Sequence, residues 1–173
     1  MNIFELKIWN DERLRCTFYT VQNDSEDINE TDKFLLKYEK EFEFIEDLQS
    51  LLSFIIYSIG DEHGANDALF NRHENEVTGL PSKGKISLGE FTYHYPNFSL
   101  RLYALKISDE IVILFNGGTK DGPTNQTSSL NIKWLDACNY ARRILEALKN
   151  KEIHIDKRNR RLINYDGSGE IIL

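Results

Sequence analysis

The alternation of apolar and polar residues predicts an α+β domain: an antiparallel sheet with an N-terminal hairpin and two main helices packed on it. Three observations predict it. Two alternating runs, 2–9 and 13–22, flank the turn-forming triplet Asn10-Asp11-Glu12. Two stretches, 44–59 and 131–149, repeat apolar residues at helical spacing. Between them the segment from Phe91 to Phe115 reads as an antiparallel meander of about three strands.

Each element has its own reason. In the second run Leu14, Cys16, Phe18 and Thr20 alternate with Arg15, Thr17, Tyr19 and Val21. Asn23 to Glu30 is an acidic, turn-rich connector, and Asp32 to Tyr38 fits a short helix or a strand. Phe44, Ile45, Leu48, Leu51, Leu52, Ile55 and Ile59 mark the first main helix, with Gly60 as its stop. Its apolar surface around Phe54, Ile55, Ile56 and Tyr57 is either deeply buried or part of a homodimer or partner groove. Residues 66–74 read as a further short helix, and Gly79-Leu80-Pro81-Ser82-Lys83-Gly84 as a break.

Phe91 to Tyr95 is a strand, Pro96-Asn97 a turn, and Phe98 to Ile107 alternates again. Ser108-Asp109-Glu110 turns it into Ile111 to Phe115, whose unbroken apolar run suits a central strand that Asn116-Gly117-Gly118 ends. A polar loop with Gly122-Pro123 leads to the second main helix, with Trp134, Leu135, Cys138, Ala141, Leu145 and Leu148 inward. Two short apolar runs around Asp166-Gly167-Ser168-Gly169 predict an edge hairpin in the tail. The expectation is one domain over 1–173. Its N-terminal hairpin and helical region fill 1–79, and the sheet core, C-terminal helix and tail fill 80–173.

Composition narrows the function classes. Of 173 residues 40% are hydrophobic and 28% charged, so disordered and fibrous classes are excluded. No uncharged run reaches the roughly 18 residues of a spanning helix, and the N-terminus lacks a basic-then-apolar leader. Cys16 and Cys138 read as reduced core residues, and the expected place is the cytoplasm, with no membrane partner. The net charge of −7 disfavours a protein that coats nucleic acid, but the charge is uneven: residues 1–100 carry 9 basic and 19 acidic side chains, residues 101–173 carry 12 and 9.

No Walker loop, dinucleotide fingerprint, Gly-x-Ser-x-Gly elbow or His-Glu-x-x-His is present. His63 and His73 stand near Glu62, Asp67, Glu74 and Glu76 in a spacing that matches no established metal site, so neither metal nor cofactor is expected. On the strand from Phe98, Leu100, Leu102 and Ala104 point one way, and Ser99, Arg101 and Tyr103 the other. Such a polar face needs either solvent, with Arg101 paired to a carboxylate, or a ligand. Tyr93, His94 and Tyr95 lie beside it, and the next strand ends in Asn116-Gly117-Gly118-Thr119-Lys120. Arginine and lysine neutralise a phosphodiester; tyrosine and histidine stack on bases or move protons.

The segment Phe98 to Lys120 resembles the core hairpin of RelE/HigB-like bacterial toxins. The shared pattern is an arginine and a tyrosine on one strand, an acidic turn, an aliphatic run, then glycines and a lysine. The likeness continues through Pro123-Thr124 into the helix with Ala137, Ala141, Arg142 and Arg143, covering roughly 80–148. It implies a RelE-like core and a small, metal-independent ribonuclease that cuts messenger RNA, often on the ribosome, and is neutralised by an antitoxin protein. Under it Arg101 corresponds to the arginine that stabilises the scissile phosphate, and Lys120 to the first lysine after the central strand. Asp121 stands where the family has a second lysine, and Gly118 and Thr119 where it has an aromatic residue.

His94 and Tyr103 join Arg101 and Lys120 as candidate catalytic residues by position. Tyr93, Lys106, Asn116, Arg158, Arg160 and Arg161 are the candidate RNA-binding set, the last three within a basic cluster that a solvated helix end and turn also explain. The competing expectation is a non-catalytic RelE-fold module whose acidic N-terminal half engages a basic partner.

Overall fold

The computed structural model describes residues 2–120 and 130–173, and the fold is α+β. Strand β1 (Phe4–Asn10) pairs antiparallel with β2 (Thr17–Asn23), as the flanked turn predicts. β2 is buried from Thr17 to Val21 because its far side is also covered: it runs parallel to β8 (Ile111–Thr119). This is the one parallel junction of a seven-stranded sheet. Beyond β8 follow β7 (Leu100–Ser108), β4 (Val77–Leu80) and the two-residue edge strand β3 (His73–Glu74). A second hairpin of β5 (Lys85–Leu88) and β6 (Phe91–His94) forms a separate two-stranded sheet.

Helices cover both faces. The undecided segment 32–38 is helix α1 (Glu30–Tyr38), started by Asn29, whose Oδ1 accepts from Asp32 N at 2.8 Å. Thr31 docks it on the sheet, its hydroxyl donating to the carbonyls of Leu114 and Phe115 at 3.0 and 3.1 Å. Helix α2 (Ile45–Ser53) runs on as a π-helical stretch, Phe54–His63, and does not stop at Gly60. Gly60 is there for packing. A Cβ on it would lie 2.8 Å from Arg13 Cγ, and the turn comes instead at Gly64, with φ of 68°. Phe18, Phe34, Phe54, Ile55, Leu102 and Leu114 form the core under these helices, which answers the question of the apolar helix: Phe54, Ile55 and Ile59 are buried, and Tyr57 is exposed.

Helix α3 (Asn131–Lys149) closes the opposite face over Phe4, Tyr19, Tyr103, Ile113 and Phe115. Its inward stripe is Ala137, Cys138, Tyr140, Ala141, Ile144 and Ala147, whereas Leu135 is 46% and Leu145 40% exposed. Three alanines on the inner face bring the helix close to the sheet, so the large aliphatics on the flanks stay outside. Among the described residues no helix is long and apolar enough to cross a membrane.

Four other expectations change. Residues 66–72 are turn and coil, with Asn66 Oδ1 accepting from Ala68 N at 2.9 Å, and His73–Glu74 form β3. Gly79 does not break the chain; it lies in the buried strand β4. Strand β8 continues through Gly117 and Gly118 to Thr119. The tail does not pair with itself: β10 (Arg161–Asn164) pairs with β9 (Ile153–Asp156), and β11 (Ile171–Ile172) adds to the β1 edge. The loop with Gly122-Pro123, and with it Asp121 and Thr124, lies outside the described residues.

The register of β7 and β8 shifts so that Phe115 and Asn116 together face Tyr103, a bulge that leads into Gly117. A Cβ on Gly117 would lie 1.8 Å from the Arg101 carbonyl oxygen, which is backbone and cannot swing away. Gly117→Ala is therefore expected to lower stability by about 3 kcal/mol, the upper end of the overpacking range. Gly169→Ala, with open space around it, should leave the urea midpoint unchanged. The thiols give a second check. Burial pushes Cys16 up to about 12 and, with Glu76 nearby, Cys138 up to about 11. Both should resist a thiol reagent at about pH 8 and react once urea unfolds the chain, because the folded state holds them as neutral, covered thiols.

Candidate functional site

Arg101 leaves β7 on the side of the sheet that α3 covers, between Leu100 and Leu102 of the opposite core. The polar face read from the sequence is therefore not a solvated one: Tyr103 is 0% and Arg101 7% exposed. Arg101 Nη1 donates to Glu74 Oε1 at 3.2 Å across from β7. The phenol of Tyr103 joins the pair, and burial followed by the Glu74 charge keeps it protonated. Glu74 in turn offers its carbonyl to Trp134 Nε1 at 3.0 Å, which ties the edge strand to α3.

A second guanidinium lies beside the first. Arg72 donates through Nε to Pro81 O at 3.3 Å, and burial and then the Arg101 charge push its pKa down from the usual arginine range. Gly79 makes room for both stems, since a Cβ there would lie 2.9 Å from Cδ of Arg72 and of Arg101. Lys120 follows β8 next to them, its backbone N–H donating to Ser99 O at 3.3 Å. Ser99 is fixed from below by Asp47 of α2, whose Oδ2 accepts from the Ser99 N–H at 3.0 Å and from its hydroxyl at 2.5 Å.

These residues line one cavity of about 500 Å³, with Tyr95 and Phe98 on its wall. Among the described residues lining it there are three cations and no carboxylate. Burial holds the Tyr95 phenol at a pKa of about 12, so it adds no negative charge at neutral pH. An anion entering here meets two planar forks and an ammonium, the donor set that suits phosphate oxygens. A second cavity, of about 540 Å³ and lined by residues of α1 and α3, differs in kind: Lys33 and Lys133 share it with Glu26, Glu30 and Asp136, and Lys33 is already paired with Glu26 and Glu30.

Of the residues nominated from sequence, the structure brings Arg101 and Lys120 together. His94 stands exposed on β6 opposite Lys85, off the cavity wall, and Tyr103 lies in the core under α3. Tyr93 is turned inward, its hydroxyl 2.9 Å from His63 Nε2. Lys106 is held by Asp67 and Asp109 at 2.6 and 2.9 Å, and the buried Asn116 side chain accepts from Gly117 N at 2.7 Å.

Arg158 is exposed in the turn between β9 and β10. Arg160 donates to the carbonyls of Leu14 and Arg13 at 2.7 and 2.9 Å, and Arg161 is paired with Asp11 at 2.7 Å. Two of the three C-terminal arginines thus fasten the last hairpin to the first. Arg72 and Phe98 were not nominated. Arg72 reaches the cavity from a turn segment that reads as a helix, and Gly79, the one signal of close approach beside it, reads as a break. Among the described residues no group of three or more histidine, cysteine or acidic side chains could hold a metal ion.

No protein-family model matches the chain, and neither a curated protein nor a solved structure matches it.

The Arg101–Glu74 pair sets a stability test. Removing one partner leaves the other charge largely buried and uncompensated, so Arg101→Ala and Glu74→Ala should each cost about 3–5 kcal/mol. Replacing both by leucine should cost less than either single change, read from urea midpoints of the three variants.

Proposed function

We propose that this protein is a toxin-like endoribonuclease of the RelE/HigB kind, working without a metal in a bacterial toxin–antitoxin or phage-conflict system. It holds the scissile phosphate of messenger RNA in the cavity of Arg72, Arg101 and Lys120. The observation that carries the reading is that two guanidiniums and an ammonium line one cavity with no carboxylate among its described lining residues. The resemblance of Phe98 to Lys120 to the toxin hairpin supplies the reaction class; the site would be cytoplasmic, and an antitoxin would cover it.

In that reaction the ribose 2′-oxygen attacks phosphorus and loses its proton to water, and the bond to the 5′-oxygen breaks as that oxygen takes a proton back from solvent. Negative charge grows on the non-bridging oxygens as the attack proceeds, and fixed cations lower the barrier most at that point. Arg101 is pre-aimed by Glu74 and needs no reorganisation to meet the phosphate, while Lys120 adds a mobile charge at the rim. His94 and Tyr103 take no part in the proton transfers, the first being off the cavity and the second beneath it.

A second reading has its own support. Arg101 is already neutralised by Glu74, and no histidine lines the cavity among the described residues. A non-catalytic module of the same resemblance would bind without cutting, engaging a basic partner through the acidic N-terminal half, residues 1–100, which hold 19 acidic and 9 basic side chains.

Growth on induced expression, followed by RNA cleavage in a translating extract, separates the two. Arg101→Lys keeps a charge opposite Glu74, and Lys120→Ala removes an exposed group, so both variants should fold. The nuclease reading expects growth arrest by the wild type, relieved about tenfold or more in both variants, with loss of cleavage. It also expects a salt dependence of RNA binding shallower by about one unit in Lys120→Ala. Arrest undiminished in both variants would remove the cavity from the mechanism. Absence of arrest, cleavage and RNA binding alike would favour the second reading.

A further inference from the structure

The cavity has cations to hold a phosphate, but a phosphodiester that is cut by its own 2′-oxygen also needs a group to take a proton. Among the described lining residues Arg72, Arg101 and Lys120 carry positive charge, and burial keeps the Tyr95 phenol protonated. The apolar residues and the one amide beside them take up no proton. The side chain left is Ser99, whose hydroxyl is both donor and acceptor.

Among the described residues two carboxylates reach this wall from behind, each through one hydrogen bond. Glu74 Oε1 accepts from Arg101 Nη1 at 3.2 Å, and Asp47 Oδ2 accepts from the Ser99 hydroxyl at 2.5 Å. They are not equivalent as proton acceptors. A guanidinium keeps its protons in a protein, so nothing passes through Arg101 to Glu74. A hydroxyl can take a proton on a lone pair while giving its own to an adjacent base.

The backbone of Ser99 fixes its place. Its N–H donates to the same Asp47 oxygen at 3.0 Å, and its carbonyl accepts from the Lys120 N–H at 3.3 Å. It directly precedes β7 and stands two residues before Arg101, on the wall that both cations line. Asp47 belongs to the first turn of α2 and does not line the cavity. A base so placed is one hydroxyl away from the reacting atoms, yet adds no carboxylate to the surface that the phosphate oxygens meet.

We infer that Ser99 and Asp47 form the proton relay of this site. The 2′-oxygen bonds to phosphorus and gives its proton to a water molecule. That water gives a proton to Ser99 Oγ as Ser99 gives its own to Asp47 Oδ2. The bond from phosphorus to the 5′-oxygen breaks with its electron pair, and that oxygen takes a proton from solvent. The Asp47 carboxyl then returns its proton to solvent, so both side chains end as they began. The inference rests on the phosphodiester reading of the cavity and adds the groups that accept the proton there.

Single-turnover cleavage of a labelled messenger RNA in the translating extract tests it, with rates taken at rising protein concentration. The plateau reports the chemical step, and the half-saturating concentration reports binding. Ser99→Ala keeps the backbone tether to Asp47, and Asp47→Asn keeps an oxygen that accepts from it, so both variants should fold. Each should lower the plateau about a hundredfold, the size of a general-base contribution, and leave the half-saturating concentration unchanged. The double variant should lose no more than either single one, because the two groups act as one unit.

Wild-type plateaus in both single variants, losses confined to the half-saturating concentration, or single losses that multiply in the double variant would each overturn the relay. The phosphodiester reading survives any of these results provided Lys120→Ala still lowers cleavage. A wild type that cleaves nothing, or cleavage indifferent to Lys120→Ala, would overturn both.

Discussion

The ion pair between Arg101 and Glu74 is the constraint around which the C-terminal half of the sheet is arranged. A guanidinium on a face that α3 covers cannot be left unpaired, because an isolated charge out of water costs several kcal/mol. The carboxylate comes from the edge strand β3, and that strand is held in place from the other side by Trp134 of α3. β3 has only two residues, so its position depends on its partners more than on its own ladder. Gly79 clears the space through which both arginine stems pass, and Gly117 lets β8 close onto the Arg101 carbonyl. Substituting either glycine crowds the same arginine, from the side-chain end in one case and the backbone end in the other.

That arrangement separates two kinds of cation. Lys33, Lys106, Arg142 and Arg161 are paired with carboxylates, and Arg160 donates to two backbone carbonyls. Their charge is used inside the fold. Around the cavity, Glu74, which does not line it, pairs with Arg101 and acts on Arg72. The acidic excess of the chain falls in residues 1–67, where 16 acidic side chains stand against 6 basic ones, and one of them, Asp47, reaches Ser99 on the cavity wall.

Much of the architecture was legible because long periodic segments override local ambiguity. The β7–β8 hairpin and the helix at 131–149 carry enough repeats to fix type, although β8 runs on to Thr119 and β6, the first strand of the expected meander, pairs with β5 in a separate sheet. The errors cluster at glycine. Gly60, Gly79 and Gly117 read as a stop, a break and a strand end, yet each sits inside an element where another chain segment passes close. A glycine needed for close approach and a glycine needed for a turn look alike in one sequence, and only the partner across the contact distinguishes them. β4 was lost for the same reason, and with it the route by which Arg72 reaches the site. The tail was misread for a different one: β9 carries only Ile153 and Ile155 as apolar residues, too weak a pattern to compete with the plausible turn at Asp166-Gly167.

For the site itself, residue type was a poorer guide than residue company. Arg101 and Lys120 stood out as cations flanking a hairpin, but so did Arg160 and Arg161, which serve as struts. His94 and Tyr103 have the chemistry of proton transfer without the placement, one facing solvent and the other sealed under α3. Tyr95 and Phe98 have little chemistry of their own and gain significance only from the cavity they line. Arg72 is tied to backbone carbonyls of the Pro81–Ser82 turn, which orient the guanidinium, while the side-chain charges acting on it include Arg101 and Glu74. Two guanidiniums held together by the fold with a single carboxylate between them carry a repulsion that an incoming phosphate relieves, and this imbalance gives the cavity a preference for anions.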